Sequence, residues 1–313
     1  MKSARQVDNR ILVVGSVALD TIRTPYGQVT DALGGSASYF SFSASHFAPV
    51  SVCAVVGEDF PGPHREQLVA RGVDLAGLET APGRTFRWRG EYMAELGHAH
   101  TLETQLNVFA DFHPRLDDAQ RRAPYVFLAN IDPELQLEVL SQVRRPRLVL
   151  SDTMNYWIAR KPDRVFEVLR RVDVALLNEE EARALSGETH LARAAEKLLD
   201  QGANAVIIKK GEHGALYHSR EERFITPAYP VTALMDPTGA GDSFAGGFLG
   251  LLARFDRQDG EALRQAMACG TAMASLAIES FSPARLVETD RTEIEGRVKA
   301  LHGMVHYDVF PIF

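Results

Sequence analysis

Met235-Asp236-Pro237-Thr238-Gly239-Ala240-Gly241-Asp242-Ser243-Phe244-Ala245-Gly246-Gly247-Phe248 is the stretch on which the reading of this 313-residue chain turns. It has the makeup of a strand end, a glycine turn and the opening of a helix. Small residues at 239 to 241 let a ligand approach the main chain closely. Their N–H groups stand at the positive end of the helix dipole, so they form a cup for an anion, and a phosphate fits that description. Asp242 follows in the first helical turn, where a carboxylate is expected to be ionised and able to take a proton from an approaching hydroxyl. A lone Gly-x-Gly-Asp would be no more than a turn with a helix cap. Here the base and the cup are adjacent within one long segment.

Two other phosphate signatures are excluded. The chain has no Gly-x-x-x-x-Gly-Lys-Ser/Thr, and Phe244 stands where a dinucleotide fingerprint needs its third glycine. Working outward, short apolar runs recur between segments of helical periodicity, the rhythm of βαβ units feeding a parallel sheet. Residues 11–14, 52–56, 125–129, 148–150, 174–177 and 205–208 read as strands buried on both faces. Helices are expected over 133–143, 163–171, 179–185, 191–200, 242–253, 260–278 and 292–302, where apolar residues recur at three- and four-residue spacing. Residues 85–112 break the rhythm. Phe86-Arg87-Trp88-Arg89 and Leu102 to Val108 alternate, and Leu96-Gly97-His98-Ala99 supplies a turn, so an antiparallel pair projecting as a flap is expected there. His98 and His100 read as a solvated turn rather than a metal pair, since no third ligand is near in sequence. The expected fold class is α/β, a three-layer sandwich around a mostly parallel sheet, forming one domain with a small β lid made mainly of 85–112 plus part of 15–40.

Composition agrees with a soluble globular protein: 45% hydrophobic and 24% charged residues. The net charge of -7 argues against a general nucleic-acid or anionic-membrane binder. Two cysteines, Cys53 and Cys269, are too few for a disulfide framework or a Cys-rich zinc site. No apolar run approaches the roughly 20 residues that span a bilayer, and the polar start of the chain lacks a secretory apolar region, so a cytoplasmic location is expected.

The 236–242 segment closely resembles the signature of ribokinase-like (PfkB) sugar kinases, and further motifs follow in the family's order. Gly15-Ser16-Val17-Ala18-Leu19-Asp20 is similar to the family's early Gly-x-x-x-x-Asp, and Gly34-Gly35-Ser36 to its glycine pair. Val56-Gly57-Glu58-Asp59-Phe60 resembles another family turn, Asn178-Glu179-Glu180-Glu181 its Asn-x-x-Glu motif, and Val206 to Ala215 the segment bordering the nucleotide. The resemblance implies a kinase that uses ATP and Mg²⁺ to phosphorylate a hydroxyl of a small sugar, polyol or nucleoside. Gly239, Ala240 and Gly241 would hold the transferring phosphate and Asp242 would deprotonate the acceptor. Asp20, Gly34, Gly35, Ser36 and Tyr39 would meet the substrate. Apart from the resemblance, one arginine of the alternating lid stretch, Arg89 or Arg87, is a candidate to reach in on closure, and Asp152 and Asn155 are candidate contacts because ligands collect at strand carboxyl ends. Lys209, Gly211, Gly214 and Thr238 would border the nucleotide, and Asn178 and Glu181 would orient Mg²⁺ through water. Tyr39 departs from the Asn that many family sugar kinases carry, which leaves ribose, a hexose, an inositol-like polyol and a nucleoside all open. The segment from Ala274 to Ser282 is similar to the adenine-flanking loop that in several relatives also holds a monovalent cation, with Ser280 in place of a frequent glycine. Some relatives dimerise through such a lid. Two other classes of function stay in view: a non-catalytic sugar or nucleotide sensor of the same fold, and a nicotinamide-dependent oxidoreductase.

Overall fold

The computed structural model describes residues 8–93 and 99–306. Its thirteen strands and eleven α-helices are β1 (Ile11–Val14), β2 (Ala18–Thr24), β3 (Gly27–Gly34), α1 (Ser36–Ala44), β4 (Val50–Gly57), α2 (Gly62–Ala70), β5 (Asp74–Ala81), β6 (Arg87–Tyr92), β7 (Ala99–Gln105), β8 (Tyr125–Leu128), α3 (Pro133–Gln142), β9 (Leu148–Ser151), α4 (Asn155–Arg160), α5 (Pro162–Leu169), β10 (Val174–Asn178), α6 (Glu179–Ser186), α7 (Leu191–Asp200), β11 (Ala205–Lys209), β12 (Ala215–Ser219), β13 (Arg223–Thr226), α8 (Ala240–Phe255), α9 (Gly260–Ala277), α10 (Ala284–Glu288) and α11 (Arg291–Val305), all counted among the described residues. Nine strands form one sheet in the order β13-β12-β11-β10-β9-β8-β1-β4-β5. From β11 to β5 every neighbouring pair is parallel, while β12 and β13 close one edge as an antiparallel hairpin.

Alternation along these buried strands sends successive side chains to two separate cores. Ile11, Val13, Phe127, Leu150, Leu176 and Ile207 pack with Phe40, Phe248 and Met273 of α1, α8 and α9 on one face. Leu12, Val14, Val126, Val149, Leu177 and Val206 pack on the other with Val139, Val165, Ala182 and Leu198 of α3, α5, α6 and α7. The six expected strands and seven expected helices all form, with ends displaced by three residues at most. Both cysteines are buried and free. No helix among the described residues is long and apolar enough to cross a membrane.

The flap pair forms as β6 and β7, antiparallel, although its expected turn, including His98, lies outside the described residues. It does not stand alone: β2 pairs with β6 in parallel and with β3 antiparallel, giving a second sheet in the order β3-β2-β6-β7. The expected strand ahead of the glycine turn is absent. Residues 227–239 are irregular, and Met235 and Asp236 donate their N–H groups to the Ile278 carbonyl instead of joining a ladder. Pro227, Pro230 and Pro237 in that run remove donors a strand would need.

Glycines let α8 sit unusually close to its neighbours. A Cβ on Gly246 would lie 2.6 Å from the Phe40 carbonyl oxygen and 2.6 Å from Ser43 Cβ of α1. Gly246→Ala therefore forces α1 and α8 apart, and we expect it to destabilise the protein by about 1–3 kcal/mol even though alanine favours the helix by about 1 kcal/mol. Denaturant unfolding of wild type and variant checks this, and an unchanged or raised stability contradicts it.

Candidate active site

Helix α8 begins at Gly239, whose φ of 75° lies in the left-handed region that glycine enters without strain, and no side chain caps it. The Ala240 N–H donates to the Pro237 carbonyl at 3.3 Å, and the missing side-chain cap leaves the other first-turn donors open to a ligand. Space at Gly239 is also closed to any side chain, because a Cβ there would fall 2.2 Å from Tyr39 Cγ. Tyr39, fully buried on α1, is the floor under the turn and presents no ring face to solvent. Ahead of the turn, buried Asp236 accepts the Thr238 N–H at 2.9 Å, and the Thr238 hydroxyl shares a hydrogen bond of 3.0 Å with Tyr92 of β6. The glycine turn is thereby tied to the small sheet.

The carboxyl ends of β9, β10 and β11 deliver a second set of groups to the same place. Lys209 Nζ donates to Asp152 Oδ2 at 2.6 Å, and both side chains are largely buried. The ammonium lies against the turn: a Cβ on Gly241 would be 2.9 Å from Lys209 Nζ. Burial alone would lower the Lys209 pKa, but Asp152, Glu181 and Asp242 around it outweigh that and raise it, so it stays charged. Asn178 and Glu181 form a reciprocal capping box on α6, in which the Asn178 N–H and Nδ2 donate to Glu181 at 2.7 and 2.8 Å and the Glu181 N–H donates to Asn178 Oδ1 at 2.9 Å. Desolvation, reinforced by Asp152, pushes the Glu181 carboxyl up to about 8.

Asp242 stands half-buried beside this cluster. Desolvation, with Asp152 and Asp20 adding to it and Lys209 opposing, pushes its carboxyl up to about 8. The sequence-based expectation of an ordinarily ionised carboxylate is corrected here: the helix dipole does not offset loss of water. Across the site Asp20, almost wholly buried on β2, rests on the Gly34–Gly35 backbone and accepts the Gly35 N–H. Gly34 has no room for a side chain, since a Cβ would lie 1.8 Å from Asp20 Oδ2. Desolvation raises Asp20 to about 7.

Several expected contacts stand elsewhere. The Ser36 hydroxyl is engaged with Ser16, lying 3.2 Å from both the Ser16 N–H and Ser16 Oγ, so it holds the Gly15–Ser16 turn against α1. Arg89 is paired with Glu103 at 3.7 Å and half-exposed on the face of β6 opposite Trp88 and Tyr92; the register that sets Asp20 against Trp88 puts Arg89 with Thr21. Asn155 opens α4 at the surface and donates to Glu180 at 3.2 Å. Gly211 begins a short 3₁₀ turn with open space around it, whereas Gly214 is pressed on the Thr226 carbonyl, 2.0 Å from where a Cβ would be. Sequence reasoning underrated Asp152, whose only local sign is its position just past a buried parallel strand, and it missed Tyr92.

Comparison with known proteins bears on what this arrangement belongs to. A family model described as pfkB family carbohydrate kinase matches residues 8–290. The cytidine kinase of Thermococcus kodakarensis is 30% identical over 245 residues, covering 76% of this chain and 87% of that one. The inositol 3-kinase of Zea mays is 29% identical over 295 residues, 88% of this chain and 75% of the relative. Among solved structures, an Escherichia coli protein provisionally named ribokinase II, in complex with ATP and Mg²⁺, superposes with a TM-score of 0.76 at 21% identity, covering 93% and 99% of the two chains, which speaks for the fold. The chain belongs to the pfkB family of carbohydrate kinases, and is a phosphotransferase whose acceptor is an alcohol group.

Proposed function

We propose that this protein transfers the γ-phosphoryl group of ATP to a hydroxyl of a small sugar, polyol or nucleoside, with Asp242 as general base and the 239–241 main chain as anion cup. One observation carries the reading: a half-buried carboxylate, a helix N-terminus without a side-chain cap and a charged lysine meet on three consecutive residues. An anion entering the cup gains the Lys209 charge and the α8 dipole together, in a site where few waters compete. Asp242 lies in the first turn of that helix, on the side from which an acceptor held by Asp20 would approach. A carboxyl near 8 is a stronger proton acceptor than an ordinary aspartate, matched to work close to neutral pH.

Within the acceptor range, a nucleoside is favoured. Trp88 and Tyr92 share the face of β6 that lies beside Asp20, which suits a flat ring next to a hydroxylated one, and the similarity to a cytidine kinase points the same way. Mg²⁺ fits the donor set. Asp152, Glu181 and Asp242 surround a single lysine, leaving an excess of carboxylate that a divalent cation would neutralise. Among the described residues no three His, Cys, Asp or Glu side chains could hold a metal by themselves, so such an ion would take most ligands from phosphate and water, with Asp152, Asn178 and Glu181 touching that water. When bound, the ion would offset charge on the phosphoryl oxygens. The small sheet acts as a lid that keeps water, a competing acceptor, from the phosphate, and the Tyr92–Thr238 bond is its contact with the glycine turn. Its outer side, with Leu102 53% exposed and β3 and β7 at the sheet edges, suits a lid-to-lid homodimer.

Asp242→Asn should keep the fold and bind nucleotide as the wild type does in calorimetry, while kcat for its best acceptor from a sugar, polyol and nucleoside panel drops by about 10²–10⁴-fold. Near wild-type turnover in that variant contradicts the assignment. Because the base must be ionised, kcat/KM should rise with pH and level off above about 8; a profile flat between about pH 6 and 9 argues against Asp242. The same burial has a stability consequence. Asp20 and Asp242 bind protons more tightly folded than unfolded, where aspartate titrates near 4, so between about pH 4 and 8 stability falls as pH rises. Asp20→Asn and Asp242→Asn should each raise the thermal midpoint by roughly 2 °C at pH 8.5 and by less at pH 5, as read by calorimetry; the opposite ordering overturns the raised carboxyls.

A further inference from the structure

Two of the segments joining the small sheet to the large one meet at Thr85, which rests on a single carboxylate. Thr85, fully buried just before β6, donates its N–H and its hydroxyl to Asp59 Oδ1 at 2.6 and 2.7 Å. Its Oγ accepts the Gly57 N–H at 3.0 Å. Its carbonyl takes the Asn107 side chain at 2.9 Å, just past β7, and Val108 N–H donates to the Arg84 carbonyl at 3.2 Å. The way into β6 and the way out of β7 are therefore stapled side by side to the turn that ends β4. That turn admits no side chain at Gly57, where a Cβ would lie 2.4 Å from the main chain of Gly83 and Arg84.

The other Asp59 oxygen reaches into the small sheet itself. Oδ2 accepts from Arg87 Nη2 at 2.9 Å, and Arg87 Nη1 donates to Asp31 on β3. Arg87 is mostly covered, its side chain 21% exposed. Burial alone would raise the Asp59 carboxyl, but the bonds from Thr85 and Arg87 outweigh it and hold it below the usual aspartate range. Phe86 is thus the single residue between two anchors on one side chain. Arg87 faces Leu19 across the β2–β6 ladder, and the next residue along β2 is Asp20.

We infer that Asp59 is a positioning residue for the phosphotransfer: through Thr85 it fixes the hinge of the small sheet, and through Arg87 it fixes the angle at which that sheet carries Asp20 toward Asp242. The inference rests on the kinase reading, in which Asp20 holds the acceptor and the small sheet is the lid. Nucleotide binding belongs to the large sheet and α8, so a loosened hinge separates the two substrates. Asp59→Asn keeps an oxygen for Thr85 but turns an amide donor toward Arg87; Arg87→Gln removes the same link from a partly exposed site and serves where the first variant folds poorly.

The experiment uses the full chain carrying each substitution and both together. Each single variant should raise KM for the acceptor about tenfold while KM for ATP stays within about twofold, and the double variant should resemble a single one, since both break one link. Hydrogen exchange of apo protein should quicken in 87–92 and 99–105 and stay unchanged in β1 and β4. Multiplying effects in the double variant, parallel rises in both KM values, or unaltered kinetics and exchange overturn the inference. If Asp242→Asn abolishes turnover while the hinge variants behave as wild type, the hinge is wrong and the kinase reading stands. If wild type transfers no phosphoryl group yet exchange quickens as expected, the hinge holds and the kinase reading fails.

Discussion

Everything in this molecule's chemistry depends on placing acidic groups out of water around one lysine. Asp152, Glu181 and Asp242 all act on Lys209, whose ammonium lies over the start of α8. Burying several carboxylates against a single cation is costly, and two of the three respond by holding their protons more tightly. The two apolar cores on either face of the sheet supply the stability that lets such a site persist. An incoming polyphosphate with its metal ion would change that balance at once, since it brings cation and anion to a place that holds acid groups and unclaimed N–H donors.

The parallel sheet is what makes the cluster cheap to assemble. Strands running the same way end along one edge, so Asp152 just past β9, and Asn178 and Lys209 as the last residues of β10 and β11, stand in a row without any special loop. Helix α8 then needs to bring only its N-terminus to that edge. It does so because glycines on its inner side allow α1 within backbone distance, and because Tyr39 of α1 packs under Gly239. Helices α1 and α8 are thus locked together through close packing rather than through ion pairs. Most of the ion pairs on the outer surface, such as Arg257 with Asp259 and Glu261, join half-exposed groups whose attraction water largely screens.

The small sheet stands apart from this rigid body in its physics. Its own buried cluster is little more than Ile22 and Tyr92, with Val29, Trp88, Leu234 and Phe281 against them. Its attachment is both apolar and polar: Leu33 of β3 packs in a main core, Leu234 and Phe281 reach the sheet from outside it, Tyr92 bonds Thr238, and Asp59 bonds Thr85 and Arg87. On the proposed reading, acceptor choice would fall to this sheet, because Asp20, Trp88 and Tyr92 all come from it.

The amino-acid sequence by itself determined the strands that are apolar throughout, because a strand covered on both faces can tolerate nothing else; β1, β4 and β8 to β11 were readable for that reason. Strands β2, β3, β5, β12 and β13 were not, since edge and one-sided strands carry mixed residues that look like loop. The glycine turn and the Asn178–Glu181 box were legible because each works through neighbours a few residues apart, where backbone geometry dictates residue type. Only the tertiary structure decided that Asp152 and Lys209, 57 positions apart, share a bond, since strand order is not written in any local pattern. It alone decided that Arg87 rather than Arg89 meets Asp59: both project from one face of β6, and only the first stands at the end of the strand beside the β4 turn. And it alone showed that the Asp242 carboxyl is raised, for desolvation is a property of what the whole chain packs around a group.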